Sequence, residues 1–376
     1  MSRPVRLRID ATPLAAEALT GVGTVLLETV RALADPRFAG RVETTLFAPL
    51  SERAAVERRA PAGVRVRVVP LPRRVFGLLT RTPFPIDLLI GRGVYFFPNF
   101  RNWRTLSPSI TFLHDVCFAA QPALVPEERR RFLVANVPGW LRRTSLVATG
   151  TPSAAREIEQ LLGVSADRLR VLPTTVDSRV FRPRSREEER AVAEELLIGR
   201  YLLFVGAREP RKNLPHLIRS YVAAARPAGH TLLLVGATGW DDGEILAEVR
   251  RAQEAGADVR IASRPVPADL LPPLVSGADA LALVSHHEGF GLPALEAVAS
   301  GTPVIASDIA GIRDALAGHE DAAVFVDPGE QDALVRALEA AMAEPRRVDP
   351  GRIRPWTDAA EALVEAAEEL AGPRRR

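Results

Sequence analysis

The sequence predicts an α/β protein built from two doubly wound parallel sheets. Short apolar segments that indicate buried strands alternate with segments of helical apolar spacing along the whole chain. The same alternation begins again near residue 200, after a stretch that Pro173 and Pro183 interrupt. With 376 residues, the chain is also too long for one ordinary core and fits two domains of about 180 residues each.

Composition limits the possible classes of function. Hydrophobic residues make up 47% of the chain and charged residues 25%, which is typical of a globular protein. The formal net charge is only +3, so we expect no nucleic-acid partner. Cys117 is the only cysteine, which excludes a disulfide framework within the chain and fits a reducing cytoplasm. The first residues carry charges where a signal peptide has its apolar core, and no apolar run approaches about 18 residues, so we expect a cytoplasmic protein that does not span a membrane.

The first half opens with a strand, a loop and a helix. Residues 5–10 (VRLRID) alternate as a strand, and Gly21 and Gly23 stand just before a segment of helical spacing, VLLETVRALA. A dinucleotide-binding loop has this general form. However, Leu26 occupies the place of the third small residue, and no acidic residue ends the next strand, TTLFAPL, so an NAD-dependent enzyme is disfavoured.

Residues 73–90 form a basic, amphipathic stretch. Phe76, Leu78, Leu79 and Phe84 fall on its apolar side, among arginines. Such a segment can lie on an anionic membrane surface. The favoured interpretation is a helix that covers the core of the first domain with solvated arginines, and peripheral membrane contact remains the alternative.

Polar residues follow two strands of the first half at the point where each strand ends. The strand GVYFFPNF ends at Asn99, and the strand SITFLHD ends at His114 and Asp115. In an open parallel sheet, ligands collect beyond the carboxyl ends of the strands. The residues alone leave open whether His114 is a general base, a hydrogen-bond donor or a histidine satisfied within the fold.

Two cations precede a helix in the second half. The strand YLLFVGA leads into a loop that carries Arg211 and Lys212, the only lysine of the chain, and then into the helix LPHLIRSYVAAA. Free N–H groups at a helix start, together with two cations, suit a diphosphate. After the next strand, TLLLV, we expect Gly236 and Gly239 to leave room for a ligand.

The most informative stretch is SHHEGFGLPALEAVASGTPVIAS, residues 285–307. Pro293 suits the first turn of a helix, and Gly301 suits the left-handed residue just past its end. Between the preceding strand and this helix, glycines let a ligand approach the backbone, and the free N–H groups attract an anion such as phosphate. Glu288 and Glu296 are poor phosphate ligands but accept hydrogen bonds from hydroxyls, so the pair suggests a sugar nucleotide. Either glutamate taken alone could be an ordinary solvated charge.

These motifs resemble those of the retaining group 1 glycosyltransferases of family 4, which include bacterial mannosyltransferases. Residues 285–307 match the signature EGFGLPALEAxAxGTPVIAS, VGAREPRKNLPHLI is similar to VGTxEPRKNLxxLI, and PNF followed by HDVCF resembles the PNF and HDLSF pair. The resemblance covers nearly the whole chain. It implies the GT-B fold, in which two Rossmann-like domains face a cleft, and sugar transfer from a nucleotide-diphosphate donor with retention.

The resemblance also implies roles for individual residues. The catalytic residues would be His114 beside the transferred sugar, Arg211 and Lys212 at the leaving diphosphate, and Glu288 near the sugar hydroxyls. Further contacts with the donor would come from Gly21, Gly23, Gly236, Pro265, Val266, Gly289, Phe290, Gly291, Leu292 and Glu296. The acceptor would lie near Asn99, Asp115 and Phe118.

We therefore predict an acceptor-binding domain over residues 1–175, a nucleotide-sugar-binding domain over residues 176–356 and a helix, residues 357–376, that crosses back onto the first domain. No Asp-x-Asp motif occurs in the chain, so we expect no metal or other cofactor. The expected reaction is transfer of a hexose, with mannose slightly favoured, to a hydroxyl of a glycan, lipid-linked or small-molecule acceptor. A sugar-nucleotide-binding protein that does not transfer and a GT-B epimerase are the alternatives.

Overall fold

The computed structural model describes residues 3–225, 229–262 and 266–372. They form two compact units. The first unit comprises residues 3–120, 128–174 and 355–372, and the second comprises residues 121–127 and the described part of 175–354. Within the described ranges, no helix is both long enough and apolar enough to cross a membrane.

The first unit contains an all-parallel sheet. Its strands are β1 (Val5–Asp10), β2 (Val42–Pro49), β3 (Arg65–Val69), β4 (Val94–Phe97), β5 (Ser109–Phe112), β6 (Leu146–Thr149) and β7 (Leu169–Val171). They lie in the order β3-β2-β1-β4-β5-β6-β7. The direction in which the chain adds strands therefore reverses between β1 and β4, which makes this pair the switch point of the first sheet.

Helices connect these strands. They are α1 (Gly21–Leu33), α2 (Arg53–Arg59), α3 (Arg73–Leu78), α4 (Asp87–Ile90), α5 (Cys117–Ala120), α6 (Glu127–Arg142) and α7 (Pro152–Leu162). Helix α1 begins earlier than expected, because Gly21 and Gly23 lie in its first turn, after the N-cap residue Thr20, and not in the loop before it. A Cβ atom on Gly23 would come within 2.9 Å of the Leu19 side chain, so packing against the preceding loop explains this glycine.

An aromatic cluster forms part of the core of the first unit. Phe47 of β2 makes edge-on contacts with Phe76, Tyr95 and Trp103, at ring-centroid distances of 6.4, 5.9 and 6.2 Å. The indole N–H of Trp103 donates a hydrogen bond of 3.1 Å to the carbonyl of Phe76. These contacts anchor α3 to the sheet.

Residues 73–90 do not form one continuous helix. Helix α3 is followed by a 3-10 turn, Leu79–Arg81, and then by the single turn of α4, because Pro83 and Pro85 interrupt the helical pattern. Phe76 is buried in the aromatic cluster, whereas Leu78 is 56% exposed. The apolar side chains of this stretch are thus divided between the core and the surface.

The second unit repeats the architecture. Its strands are β8 (Tyr201–Val205), β9 (Thr231–Val235), β10 (Val259–Ile261), β11 (Ala280–Leu283), β12 (Val304–Ser307) and β13 (Ala323–Val326). Its helices are α8 (Arg186–Glu195), α9 (Leu214–Ala223), α10 (Gly243–Glu254), α11 (Leu271–Gly277), α12 (Leu292–Ala299), α13 (Ala310–Ala315) and α14 (Gln331–Ala343). The strands are parallel in the order β10-β9-β8-β11-β12-β13, so the switch point lies between β8 and β11.

The last helix, α15 (Trp356–Ala371), belongs to the first unit. It packs on α1 through an apolar face that includes Leu363 and Val364. Arg41 reinforces the contact through ion pairs with Glu361 at 2.6 Å and Glu368 at 2.9 Å. Together, the two units confirm the predicted α/β class with two doubly wound parallel sheets.

Candidate functional site

The candidate site of the second unit lies at its switch point. The loop after β8 ends in a 3-10 turn, Pro210–Lys212, and leads through left-handed Asn213 into α9. The loop after β11 carries Glu288 and leads into α12. The backbone N–H of His286 donates a hydrogen bond of 2.8 Å to the carbonyl of Arg211, which joins the two loops.

Glu288 is the centre of a network of side-chain hydrogen bonds. Its Oε2 accepts from Arg211 Nη1 at 2.8 Å, and its Oε1 accepts from Lys212 Nζ at 2.5 Å and from Ser285 Oγ at 2.7 Å. Arg211 Nε also donates to Glu209 at 2.8 Å. The side chains of Lys212 and Glu288 are only 8% and 7% exposed. Two cations and two carboxylates are therefore held together largely out of water, with no net charge.

The ionisation of Glu288 follows from these contacts. Burial alone would raise the pKa of its carboxyl, but the charges of Lys212 and Arg211 and the hydrogen bonds lower this pKa to about 2. The sequence predicts that the cations face a diphosphate and that Glu288 faces sugar hydroxyls. In the structure these three side chains bind one another, so Glu288 fixes the position of both cations before any ligand is present.

A glycine-rich turn separates Glu288 from α12. Gly291 has a φ of 97°, in the left-handed region that glycine tolerates, and α12 starts at the next residue, Leu292. Gly311 of α13 approaches this turn so closely that a Cβ atom there would lie 2.0 Å from the carbonyl oxygen of Glu288. Gly289, Phe290, Gly291 and Leu292, all predicted to contact the donor, are brought together in this turn.

Glu296 differs from Glu288 in having no partner in the part of the chain that the structure describes. It lies in the second turn of α12 and is 9% exposed. Among the described residues, no hydrogen bond or ion pair reaches its carboxylate. Burial raises the pKa of Glu296 to about 7. A buried carboxylate without donors is costly, so its retention fits a ligand that supplies hydroxyls.

The turn after β9 is explained by protein contacts and not by open space. A Cβ atom on Gly236 would lie 1.9 Å from the carbonyl oxygen of Gly206, and one on Gly239 would lie 2.2 Å from that of Arg208. The close approach of the neighbouring loop therefore explains why glycine stands at both positions, and the predicted contact of Gly236 with the donor stays a prediction. Arg208 also joins the two loops, through hydrogen bonds to the Gly236 carbonyl at 3.1 Å and to Thr238 Oγ1 at 2.7 Å.

His114 lies in the first unit, just beyond β5. Its Nε2 is 2.9 Å from the carbonyl oxygen of Pro98. Because a carbonyl only accepts, Nε2 must carry the proton. Burial lowers the pKa of His114, so the ring is neutral at pH 7 and its Nδ1 is a hydrogen-bond acceptor. Of the roles that the sequence left open, the geometry favours an acceptor or base at Nδ1.

The three side chains predicted to contact the acceptor all make structural contacts. Asn99 Oδ1 accepts from the N–H of Phe100 at 2.8 Å. Asp115 Oδ1 accepts from the N–H of Cys117 at 3.0 Å, at the start of α5. Phe118 is buried and packs edge-on against Phe100. These contacts account for Asp115 and Phe118 without a ligand, and the acceptor roles stay predictions.

The remaining predicted positions lie elsewhere. Pro265 is outside the described residues. Val266 is half-buried and packs against the core of the second unit. Gly21 and Gly23, in the first turn of α1, belong to the first unit, as does His114. Within the described ranges, no group of three or more possible metal-ligating side chains lies together.

Sequence reasoning missed three residues that the structure places at strand ends. Asp10 ends β1 and is buried, and the same strand-end rule that selected His114 could have selected it. Arg208, after β8, is 9% exposed and bonded to the neighbouring loop. Glu52, after β2, is buried although its surroundings in the sequence, LSERAAVERR, are typical of an exposed helix start. Nothing in the sequence indicates the burial of Glu52.

Known proteins share this fold. A solved structure of the Anabaena protein HepE in complex with UDP and glucose matches 98% of this chain and 96% of that chain, with a TM-score of 0.65 and 17% sequence identity. This likeness, together with the topology of the two sheets, confirms the predicted GT-B fold class.

Relatives are found by sequence as well. O-antigen chain mannosyltransferase B of Escherichia coli is 30% identical over 245 residues, which cover 64% of this chain and 63% of that protein. A D-inositol 3-phosphate glycosyltransferase of Geodermatophilus obscurus is 32% identical over 295 residues, which cover 72% of this chain and 64% of that protein. The chain thus spans less than two thirds of the length of both relatives. Residues 185–367 match the family of group 1 glycosyl transferases. The matched range includes Arg211, Lys212, Glu288 and Glu296.

Proposed function

We propose that this protein is a retaining, metal-independent glycosyltransferase that moves a hexosyl group from a nucleotide-diphosphate sugar to a hydroxyl of an acceptor. The observation that carries the proposal is the combination, in the second unit, of a largely buried cation pair and the carboxylate of Glu296, which has no partner among the described residues. The cations suit a diphosphate, and the carboxylate suits the two hydroxyls of a ribose.

The proposed reaction breaks the bond between the anomeric carbon and the diphosphate oxygen. Arg211 and Lys212 stabilise the negative charge that develops on that oxygen. The acceptor hydroxyl forms the new bond on the same face of the sugar, and its proton passes to the departing phosphate oxygen. Glu288 acts as a positioning residue, because it holds both cations in place.

The sugar and the acceptor are proposed from the relatives. The Escherichia coli relative is named O-antigen chain mannosyltransferase B, which supports mannose as the sugar and a glycan as the acceptor. A lipid-linked or small-molecule acceptor remains open, since another relative is named for D-inositol 3-phosphate.

We also propose that the first unit touches an anionic membrane surface. Residues 58–114 contain ten arginines and one acidic residue, Asp87, which is buried and accepts hydrogen bonds from Leu106 N and Ser107 N. Exposed apolar side chains accompany this charge, at 43 to 68% exposure: Leu50, Val75, Leu78, Leu88 and Leu106. Basic and apolar side chains on one segment are typical of proteins that bind lipid headgroups.

Thermal shift with a panel of nucleotide sugars tests the donor proposal. A donor at one hundred times its Kd stabilises the native state by about 2.7 kcal/mol, which raises Tm by roughly 5–10 °C for a unit of this size. The donor that shifts Tm should also be hydrolysed slowly, and hydrolysis should persist in EDTA. Loss of most activity in EDTA refutes metal independence.

Two alternatives give different results in the same experiment. A binding protein would show the Tm shift but neither hydrolyse the donor nor transfer its sugar. A GT-B epimerase would convert the sugar of the donor without passing it to an added acceptor, which product analysis by mass spectrometry and NMR separates from transfer.

A further inference from the structure

Arg8 of β1 is a buried cation that has no anionic partner. It is 8% exposed, and its Nη1 donates only to the neutral hydroxyl of Thr45, at 2.5 Å. Its Nε is buried and has no hydrogen-bond partner among the described residues, whereas Nη2, which also makes no hydrogen bond there, remains accessible at the protein surface. Burial of a guanidinium group without a counter-charge is unfavourable. An acceptor from outside the chain would remove this cost.

Three further arginines lie on the same face of the first sheet. The parallel register pairs Arg8 with Thr45 and Thr45 with Arg65, so these side chains form a row across β1, β2 and β3. Arg6 and Arg67 stand two positions from Arg8 and Arg65 on the same strands, and side chains two positions apart project from one face. We call the four arginines at positions 6, 8, 65 and 67 the arginine cluster. It lies towards the amino ends of the strands.

The arginine cluster carries more charge than its surroundings compensate. Among the described residues, Glu43 of β2 is the one carboxylate that pairs with it, and it lies 3.5 Å from Arg65 and 3.9 Å from Arg6. Four guanidinium groups and one carboxylate leave a net charge of +3. Burial lowers the pKa of Arg8, and the charges of Arg6 and Arg67 lower this pKa further, against the opposite effect of Glu43. The guanidinium groups therefore repel one another in the free protein.

The arginine cluster is open to solvent around Arg8. The side chains of Arg6 and Arg65 are 57% and 73% exposed, and Arg67 is also exposed. The sheet makes room for the stem of Arg8, since a Cβ atom on Gly93 of the neighbouring segment would lie 3.0 Å from Arg8 Cγ. One cation is thus held in a fixed place, with three mobile cations beside it that a ligand can reach.

Polar groups next to the arginine cluster are already engaged elsewhere. Tyr95 of β4 pairs with Arg8 in the sheet register, but its Oη donates to the carbonyl of Gly91 at 2.7 Å. Asp87 of α4 accepts two backbone N–H groups, at 2.8 and 3.0 Å, and forms no ion pair in the described part of the chain. Neither residue supplies an acceptor to Arg8. The free donors of Arg8 therefore suit an anion that comes from outside the chain.

We propose that the arginine cluster binds a phosphate group, with Arg8 at its base and the three exposed arginines around it. A phosphomonoester carries about two negative charges and three acceptor oxygens, and guanidinium groups bind such oxygens through charge-assisted hydrogen bonds. A carboxylate carries one charge and would leave most of the charge of the cluster uncompensated. The site lies at the amino ends of the strands of the first unit, so it goes beyond the donor site proposed for the second unit. The phosphate belongs either to a soluble phosphomonoester or to a lipid headgroup.

Phosphate binding to the full chain tests the inference. The probe is glycerol 3-phosphate, followed by phosphorus NMR titration in phosphate-free buffer. Arg8→Met keeps the length of the side chain and removes its charge, and the double variant Arg65→Gln with Arg67→Gln changes exposed side chains alone. Each should weaken binding about tenfold or more, as loss of a hydrogen bond between charged groups does. Acetate at the same concentration should compete poorly.

A matched control separates the arginine cluster from general positive charge. Arg58 is exposed on α2 of the same unit and forms no ion pair in the described structure. Arg58→Met lowers the net charge as Arg8→Met does, and it should bind glycerol 3-phosphate like the wild type. Binding that persists unchanged in both cluster variants belongs to another site, such as Arg211 and Lys212, and contradicts the inference.

Stability separates a binding role of Arg8 from a structural one. In phosphate-free buffer, Arg8→Met should melt at the same temperature as the wild type or higher, because it removes a buried charge without a counter-charge. Glycerol 3-phosphate should raise the Tm of the wild type more than that of Arg8→Met. A structural arginine predicts a lower Tm for Arg8→Met and equal shifts with the probe. If Arg8→Met does not fold, the exposed double variant still reports on binding.

Vesicle flotation identifies the source of the phosphate. Phosphatidylcholine vesicles with and without phosphatidic acid present the same phosphomonoester on a lipid. Flotation with phosphatidic acid that is lost in the double variant assigns the site to a lipid headgroup, and cluster-dependent binding of glycerol 3-phosphate without such flotation assigns it to a soluble ligand. The inference is overturned if neither probe binds in a way that depends on the arginine cluster, or if acetate binds there as tightly as glycerol 3-phosphate.

Discussion

Replacement of Glu288 by glutamine should destabilise the second unit strongly. The carboxylate accepts from Arg211, Lys212 and Ser285 at 2.5 to 2.8 Å, and its side chain is 7% exposed. Glu288→Gln keeps the size of the side chain and one accepting oxygen but removes the negative charge. Lys212 then loses its bonded counter-charge in a buried place, whereas Arg211 keeps its bond to Glu209.

Two arguments give the same magnitude. A pKa of about 2 for Glu288, against about 4.3 in an unfolded chain, corresponds to about 3 kcal/mol of stability at neutral pH. Removal of one partner of a buried ion pair costs about 3–5 kcal/mol in other proteins. For a unit of 150–250 residues, about 3 kcal/mol lowers Tm by roughly 6–12 °C.

The pH dependence has a definite sign. Because folding lowers the pKa of Glu288, its contribution is complete above the unfolded pKa and is lost as pH falls through about 4 towards 2. The difference between wild type and Glu288→Gln should therefore be full at pH 7 and shrink below about pH 4. Urea unfolding at several pH values measures it.

Two controls make this test specific. Asp308→Asn removes one partner of an ion pair in the same unit, Asp308 with Arg313 at 2.7 Å, whose side chains are 50% and 45% exposed. It should cost less than about 1 kcal/mol. The double variant Lys212→Met with Glu288→Gln removes the stranded charge and should recover part of the lost stability. A Tm for Glu288→Gln within about 2 °C of the wild type would refute the view that the ion network organises this site.

Three further predictions concern binding and turnover. Lys212→Ala should lower turnover by about a hundredfold or more, as loss of one oxyanion donor does, and near-normal turnover in a steady-state assay would contradict its role at the leaving group. Because burial raises the pKa of Glu296 to about 7, the Kd of the nucleotide sugar should rise below pH 7, by at most tenfold per pH unit for one proton. Calorimetry should find this rise abolished in Glu296→Gln. If the same rise appears in that variant, another group causes the pH dependence. Charge reversal of Arg73 and Arg74 should reduce flotation with anionic vesicles but not with neutral ones. Charge reversal of the two exposed arginines Arg186 and Arg190 of α8 should have little effect. Equal losses of flotation in both variants would contradict a membrane-facing surface at Arg73 and Arg74.

Most of the fold was predictable from local patterns. Strands such as YLLFV and TLLLV are nearly continuous apolar runs, as strands covered on both faces must be. The end of α12 was also predictable, since Gly301 has the left-handed φ of 77° that its position requires. Residues 73–90 were harder, because two prolines divide a stretch whose composition favours one amphipathic segment.

The site was predictable only in part, and the reason is strand order. Arg211 and Glu288 are 77 positions apart in the sequence. They meet because β8 and β11 are neighbouring strands, and no local sequence pattern predicts that these two strands are neighbours. The resemblance supplied both residues, but not the fact that they bind each other. The need for glycine at position 236 was missed for the same reason. The atom that leaves no room for a side chain there is the carbonyl oxygen of Gly206, in the loop after the neighbouring strand β8.

Hydrogen bonding within the protein distinguishes two kinds of buried carboxylate at the switch points. Glu288 accepts three protein donors, and its charge is matched by cations on the same side of the sheet. Glu296 and Asp10 are just as buried, but each keeps at least one oxygen without a hydrogen bond in the described structure. Burial without donors is unfavourable in the free protein, so a carboxylate of the second kind is retained where a ligand supplies the donors. Replacement of a carboxylate of the first kind should lower the stability of the protein. Replacement of one of the second kind should weaken ligand binding and leave the stability unchanged or higher. This difference in response, more than the presence of an acidic residue at a strand end, therefore tests whether a buried carboxylate contacts a ligand.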